Sequence, residues 1–402
     1  MKFTAKQQNL HRGLTIVRHA VPTNGPFPIQ KYILATANGG HVRLSARRED
    51  LGIHYWITTE AIDDEGVALL PAYLLSDFVR NVPAASIIVT SPSPLHTDSC
   101  HVRCLRSSAD MKNATDDPAE FTQPPLFQEG GELLIQLDAW RLKEIIAQTA
   151  FAAAEKEGNS WSWAVGLRIE IAEGKALFAA TDSFRLAMYT LPVPDDQLRC
   201  RLLIPAKTMQ EMAKLLPNGG TVQMLLTPDR NMALFHSDIA HLSEAVDVST
   251  RLLRSENYPS LEHAVPSSWT TRALISTQEL ASKVKLMLPY AHDNRYEIHF
   301  KFFGEQTERV SLAEVAHTIA VETFATDVGT IENMIPAQVQ GPDQEITLHA
   351  RYLLEVLEVL TTAQVALEVT DGNRPAVLRP IGPEEYVYVM MPIKKKEAGA
   401  KR

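Results

Sequence analysis

The sequence predicts an α+β fold assembled from three similar modules, and three observations carry that expectation. First, residues 69–83 (LLPAYLLSDFVRNVP) and 203–217 (LIPAKTMQEMAKLLP) share Pro-Ala, a following acidic residue, a Lys or Arg and a closing Pro. Residues 347–361 (TLHARYLLEVLEVLT) keep the Ala and the apolar spacing. Second, the three alanines, Ala72, Ala206 and Ala350, lie 134 and 144 residues apart, a self-similarity that marks a repeated unit. Third, a β-rich run follows each segment: SIIVT, TVQMLLT and QVALEVT.

Each repeated segment spaces its apolar residues at i, i+3 and i+4, which predicts an amphipathic helix of about three turns. Pro71 and Pro205 stand where a helix start tolerates proline. The first half of each module shows a second pattern, a short strand leading into a longer helix, at FTAKQQNLHRGLTIVRHAV, IQLDAWRLKEIIAQTAFAAAE and ISTQELASKVKLMLPYA. Strands such as GLRIEIAEGKALFAAT follow. Six helices are therefore expected, over 3–21, 71–81, 137–155, 206–216, 276–291 and 349–360. Linkers are expected at 115–125 (TDDPAEFTQPP) and 254–268 (RSENYPSLEHAVPSS), both rich in turn formers. The modules are then 1–126, 127–262 and 263–393, with a charged, solvated tail over 394–402.

Composition narrows the function. A chain of 402 residues, 45% hydrophobic and 22% charged, is not mainly disordered, collagenous or coiled-coil. With 39 Lys and Arg against 48 Asp and Glu the formal charge is −9, which excludes a uniformly basic nucleic-acid binder but not a basic stripe on an acidic body. Three cysteines, Cys100, Cys104 and Cys200, make no disulfide framework, so a reducing, cytoplasmic setting is expected. No apolar run is long enough for a membrane span, and MKFTAKQQNL lacks the apolar core of a signal peptide. The charge is unevenly placed. The six predicted helices hold eleven Lys/Arg and eight Asp/Glu, so they carry +3 while the rest of the chain carries −12. Helices of that sign suit a surface that faces phosphate without reading bases.

The most specific stretch is ALFAATDSFRLAMYTLP at 176–192. Its ATDSFRLA (180–187) resembles the ATDG[HY]RLA signature of the bacterial DNA polymerase III beta sliding clamps. The closing YVYVMMPIK (386–394) is similar to that family's final strand, and NYPSLEHAVP (257–266) to its second linker. The opening MKFT and the FPI at 27–29 also match. The resemblance spans nearly the whole chain and is thinnest in the first module.

It implies three clamp domains, each with two inner helices packed on outer antiparallel sheets, forming half of a ring. The implied protein is a head-to-tail homodimer that encircles duplex DNA without sequence preference, tethers the replicative polymerase and is not an enzyme. No cofactor or metal is implied. The implied partners are the polymerase III alpha subunit, the clamp loader and other proteins that carry a clamp-binding motif. Such partners dock short peptides in an apolar cleft, which here falls to Ala164, Thr181, Ser183, Phe184, Arg185, Leu186, Pro259, His263, Ala264, Pro375, Val389, Met391, Pro392 and Ile393. Arg185 is the residue expected to meet a peptide carbonyl or an acidic end. DNA-facing side chains are expected at Arg80, Arg141, Lys143, Trp163, Lys207, Lys214 and Lys283, with Trp161 a further candidate and core burial of the two tryptophans the equal alternative. Dimer contacts are expected at Met287 and Leu288.

Departures from the family pattern are specific. Ser183 replaces the usual Gly, which alters the turn if that residue needs φ > 0. His263 stands where Arg is common, and Asn24 replaces a basic residue in a DNA-touching loop. The stretch 101–117 (HVRCLRSSADMKNATDD) is polar where an apolar, ring-closing edge is expected. That polarity motivates a second reading, a clamp-fold paralogue that binds partners or regulates replication without forming a DNA-loaded ring.

Two other patterns are decoys. LTIVRHAVPTNG (14–25) superficially matches the phosphate-attacking histidine motif of histidine phosphatases, but it continues a helical period where that chemistry needs a strand end. Cys100 and Cys104 with His96 and His101 lack the second ligand pair of a structural zinc site.

Overall fold

Every α-helix of the described residues begins where a strand ends. The structure is a computed structural model, and it describes residues 1–394 apart from 24–26, 94–97, 115, 157–161, 240–243, 255–257, 262–263, 305–317, 326–328 and 383–384. Strand Lys2–Lys6 runs into α1 (Gln7–Val17), Gly66–Pro71 into α2 (Ala72–Asn81) and Glu132–Asp138 into α3 (Ala139–Thr149). Cys200–Pro205 runs into α4 (Ala206–Leu215), Thr271–Ser276 into α5 (Thr277–Ala291) and Gln344–His349 into α6 (Ala350–Val359). The repeat alanines Ala72, Ala206 and Ala350 are thus the first residues of α2, α4 and α6. Two boundaries differ from expectation. Residues 2–6 form a strand, because Phe3 and Ala5 alternate into the core with period two. α3 stops at Thr149, where a 3-10 turn (Ala150–Ala152) takes over. Pro71, the N-cap of α2, and Pro205 stand at helix starts as the last residues of their strands, and both strands are sheet edges, where a missing N–H costs no ladder bond.

The chain forms two compact units, Met1–Ile146 with Lys207–Leu253, and Ala147–Ala206 with Arg254–Arg402. The first unit holds two antiparallel sheets. One is ordered Ala61–Asp64, Lys2–Lys6, Ser86–Thr90, Ser99–Cys104, Ser107–Lys112. The other is ordered Gly66–Pro71, Tyr32–Asn38, His41–Arg47, Leu51–Ile57, Glu244–Arg251, Met232–Ile239, Thr221–Leu226, Glu132–Asp138. Helix α1 buries Leu10, Leu14 and Val17. Its Gly13 lets the helix approach the sheet, since a Cβ there would stand 2.6 Å from the Ile57 side chain.

The second unit holds one twelve-stranded sheet. Its first eight strands run Cys200–Pro205, Gly166–Ala172, Lys175–Thr181, Arg185–Pro192, Tyr386–Met390, Ala376–Pro380, Gln364–Val369, Thr271–Ser276. Strand for strand, this is the order of the eight-stranded sheet in the first unit. Each block is sewn at its centre by one antiparallel junction, Val248↔Ile53 in the first unit and Leu186↔Val389 in the second. The remaining strands, Gly329–Gln340, Thr318–Ala325, Glu297–Phe302 and Gln344–His349, repeat the outer half of the block. Two junction strands are left over. Ser107–Lys112 is the edge of the five-stranded sheet, and residues 329–336 are paired on one side only among the described residues.

His54 lies in the first block without solvent exposure, its Nδ1 2.8 Å from Ser45 Oγ and its Nε2 2.9 Å from the Pro124 carbonyl oxygen. Nε2 therefore donates to the carbonyl and Nδ1 accepts from the hydroxyl, which describes a neutral ring. Burial holds its pKa down, from 6.5 to about 4. Because the folded pKa lies below the unfolded one, the neutral ring's contribution is complete above pH 6.5. It declines as pH falls toward 4, by at most about 1.4 kcal/mol per pH unit. Urea unfolding of His54→Gln across that window is expected to show a shallower loss of stability than the parent chain. An identical slope refutes the assignment.

Candidate functional site

The turn between strands Lys175–Thr181 and Arg185–Pro192 is closed by its own side chains. Asp182 accepts from the N–H groups of Phe184 and Arg185 at 2.9 and 3.0 Å. The Thr181 hydroxyl donates to the Arg185 carbonyl at 2.6 Å and accepts from the Ser183 N–H at 3.1 Å. Ser183 has φ 77, so the turn does require the left-handed region that the family's glycine adopts without strain. From the neighbouring strand end, the Met391 N–H donates to the Phe184 carbonyl at 2.8 Å.

Arg185 is only 8% exposed, and its guanidinium is consumed within the protein. Nε donates to Asp182 at 3.0 Å, Nη2 to the Phe151 carbonyl at 2.9 Å, and Nη1 pairs with Glu355 of α6. Its cationic carbon stands 4.2 Å over the Tyr352 ring. These partners hold it protonated, with its pKa above the ordinary arginine value despite the opposing effect of burial. Each of the three Arg185 nitrogens thus already has one acceptor within the protein, and the side chain also lines the groove. His349 caps α6, its Nδ1 accepting from the Tyr352 N–H at 3.3 Å. Burial first, and the Arg185 charge second, lower its pKa and favour the neutral ring that this cap needs.

The opposite wall is the linker. Arg168 donates to the Pro259 carbonyl at 3.3 Å and stands 5.1 Å from the Tyr258 ring centre, while the Tyr258 hydroxyl donates to the Ala179 carbonyl at 3.3 Å. Trp163 meets Tyr258 edge-on at 5.4 Å between centroids. Between the walls lies a cavity of about 430 Å³, lined by Trp163, Thr181, Ser183, Phe184, Arg185, Leu186, Pro259, Ser260, Leu261, Ala264, Pro375, Val389 and Met391. Leu186 and Val389 form its buried floor. Phe184 and Met391, 56% and 47% exposed, stand at its mouth. Such a groove takes apolar anchors, each worth roughly 1.5–3 kcal/mol when buried.

Some assigned residues stand elsewhere. Trp163, expected to face DNA, is buried and walls the cavity. Ala164 is buried behind it, its carbonyl accepting from the Ala154 N–H. Pro392 is absent from the lining, and Ile393 leaves toward Thr347, whose carbonyl accepts its N–H. His263, Asn24, Trp161 and residues 395–402 lie outside the described residues. Sequence reasoning missed Ser260 and Leu261, though an apolar residue two places after Pro259 is a visible signal. It also missed Glu355, which has the same distance from Ala350 as Glu211 has from Ala206.

On the helices, Arg80 pairs with Asp77 at 3.0 Å, Arg141 with Glu144 at 3.2 Å, and Lys143 donates to Asn218 at 2.8 Å. Lys207 and Lys214 are exposed and Lys283 half-exposed, none with an ion-pair partner among the described residues. Met287, expected at a dimer contact, has no exposure. It continues the buried stripe Leu280, Val284, Met287, Ala291, so the neighbouring Leu286 is the exposed apolar residue, and Leu288 is half-buried. In the first unit, His19 sits in a 3-10 turn (Arg18–Ala20) after α1. Cys100 and Cys104 are buried on one strand, where burial pushes the Cys100 thiol up to about 11. No helix of the described residues is long and apolar enough to cross a membrane.

A repeated eight-strand block, with a strand running into each of six helices, defines a clamp-type protein. Comparison with known proteins gives the family. The DNA polymerase III beta subunit models match residues 136–260 (central domain) and 263–394 (C-terminal domain). The beta sliding clamp of Synechococcus elongatus is 25% identical over 98% of this chain and 99% of its own length, and that of Bacillus subtilis 24% over 98% and 100%. Among solved structures, the DNA polymerase beta subunit of Streptococcus pyogenes superposes with a TM-score of 0.86 at 21% identity, over 98% of this chain and all of the other. The Pseudomonas aeruginosa sliding clamp bound to griselimycin gives 0.85 at 20% identity, with the same coverage. The chain belongs to the DNA polymerase III beta subunit family, that of the beta sliding clamps.

Removing the Arg185 guanidinium leaves Asp182 without its cation in a largely buried setting, while the more exposed Glu355 keeps Arg351 at 3.1 Å. Arg185→Ala is expected to cost about 3–5 kcal/mol in chemical unfolding. Arg185→Lys is expected to recover little of it, since one ammonium cannot reach three divergent acceptors. Full recovery by lysine refutes the geometric role.

Proposed function

We propose that this protein is a sliding clamp: a ring-shaped, non-catalytic homodimer that encircles duplex DNA in the cytoplasm and tethers the replicative polymerase. The observation that carries the reading is the repeated block with its two leftover junction strands. Ser107–Lys112 occupies the place that Glu244–Arg251 and Tyr386–Met390 occupy in the other modules, and Gly329–Gln340 the place of Leu51–Ile57 and Arg185–Pro192. Joining the leftover strand of one copy to that of another repeats the internal junction a third time. Head-to-tail pairing of this kind closes two copies into a ring. Exposed apolar side chains support those contacts: Leu74 on α2 and Leu105 beside Ser107–Lys112, against Leu286 on α5 and Met334 on Gly329–Gln340. The polarity of Ser107–Lys112 is compatible with backbone pairing, which needs no apolar side chains.

In this reading the domains are 1–126, 127–262 and 263–393, and the helices line the hole. Lys207, Lys214 and Lys283 meet phosphate, joined by Arg80, Arg141 and Lys143 when DNA competes for their neutral or acidic neighbours. A topological link needs only weak, sequence-independent attraction, and tight base contacts would arrest sliding. The groove around Leu186 and Val389 takes extended peptides from the polymerase alpha subunit, the clamp loader and other partners. The alternative, a partner-binding paralogue that never closes a ring, makes opposite predictions.

Loaded on nicked circular plasmid by a clamp loader, the protein is expected to stay bound through gel filtration and to leave when the circle is linearised. Leu74→Asp is expected to sediment as a monomer and fail this assay. Retention equal on circles and linear DNA, or a monomeric parent chain at micromolar concentration, overturns the ring. Leu186→Ala with Met391→Ala is expected to weaken a polymerase-derived peptide by about 2 kcal/mol or more in titration calorimetry. Unchanged affinity discards the cleft.

A further inference from the structure

We propose that the first unit carries a second peptide-binding cleft, which takes an extended peptide bearing both an acidic and a basic side chain beside an apolar anchor. The inference rests on reading the Leu186–Val389 groove as a peptide site, and on the equivalence of the two eight-strand blocks. That groove is framed by four parts. They are a 3-10 turn (Ser162–Val165) ahead of Gly166–Ala172, the turn before Arg185–Pro192, the end of Tyr386–Met390 and the linker. The first unit supplies the same four parts: the 3-10 turn Pro28–Lys31 ahead of Tyr32–Asn38, the turn before Leu51–Ile57, the end of Glu244–Arg251, and the linker at 116–122. They enclose a cavity of about 880 Å³.

The linker is fixed in place. Phe121 plugs an apolar cluster with Leu34 and Leu69, and Gly52 leaves room for Pro124, whose Cβ would stand 2.6 Å from a Cβ at that position. Phe27 is 61% exposed at the cavity and, with Pro28 and Ile29, offers an apolar anchor point.

The walls differ from those of the first groove in charge. Arg251 stands at the junction-strand end where the other block has Met391, and Arg47 ends the strand before the turn. The linker wall carries Asp116 and Glu120, and Glu49 sits in the turn. None of these five has an ion-pair partner among the described residues. Arg48, by contrast, is consumed by Asp50 at 2.7 Å and Glu211 at 2.5 Å. A groove with carboxylates on its linker wall, facing arginines interspersed with Glu49 on the other, selects an extended peptide, whose successive side chains point to opposite sides.

The test is titration calorimetry of the full-length chain with acetyl-Leu-Asp-Lys-Phe-amide and, for comparison, the neutral acetyl-Leu-Ser-Ser-Phe-amide. The charged peptide is expected to fill two sites per chain and the neutral one a single site. Arg47→Ala with Arg251→Ala is expected to return the charged peptide to one site. Leu186→Ala with Met391→Ala is expected to leave only the second site. One site per chain for the charged peptide in the parent protein, two sites surviving the arginine replacements, or loss of all binding in the Leu186→Ala, Met391→Ala protein overturns the second cleft and leaves the first standing. Two sites surviving the Leu186→Ala, Met391→Ala change overturns the first groove instead, and with it the basis of the proposal.

Discussion

At each internal junction an arginine in the turn beside the seam, or at the strand residue that follows it, reaches an acid on the helix that the repeat alanine opens. In the first unit Arg48 pairs with Glu211 of α4, and in the second Arg185 pairs with Glu355 of α6. Both acids stand five residues after the helix-opening alanine. The pair binds turn and helix across the seam, so strand register, turn conformation and helix position are fixed together. Burying such charges gains little net stability, because desolvation offsets attraction. Their effect is geometric: another register would part Arg185, the most buried of these charges, from its acids. Asp77, the acid at the same place in the first repeat, pairs with Arg80 of its own helix, and its module ends at a leftover strand.

This constraint shapes the groove chemistry. Arg185 lines the cavity between turn and linker while it bonds Asp182, Glu355 and Phe151, and Leu186, Val389, Phe184 and Met391 supply its apolar surface. A rigid, largely apolar recess binds anchors without much ordering cost, and hydroxyl and backbone groups at its rim supply direction. The same architecture in the first unit consumes Arg48 instead of the strand-end arginines, so charge remains on its walls. One fold element, repeated, thereby presents two different surfaces.

In the proposed ring, the helices would reconcile weak attraction to a polyanion with an acidic protein. Several of their cations are already neutralised or hydrogen-bonded, as with Arg80, Arg141 and Lys143, while Lys207, Lys214 and Lys283 are not paired among the described residues. For a ring that must slide, a lining that holds phosphate loosely serves better than a dense basic patch, since each added phosphate contact slows release.

Much of the architecture was legible in the chain itself. The alanine spacing located three helix starts, and the apolar periods located the others, because a helix that buries one face must repeat every 3.6 residues. The ATDSFRLA stretch located the turn of the groove through its resemblance to the family signature, and the structure shows its short polar side chains bonding their own backbone. Other features were decided only in three dimensions. The fate of Arg185, the burial of Trp163 and Met287, and the departure of Ile393 depend on which acceptors and apolar surfaces distant segments bring alongside. Periodicity states that a residue faces inward or outward, but long-range packing states what it meets there. Arg185 and Glu355 are 170 residues apart, and no local rule predicts their pairing.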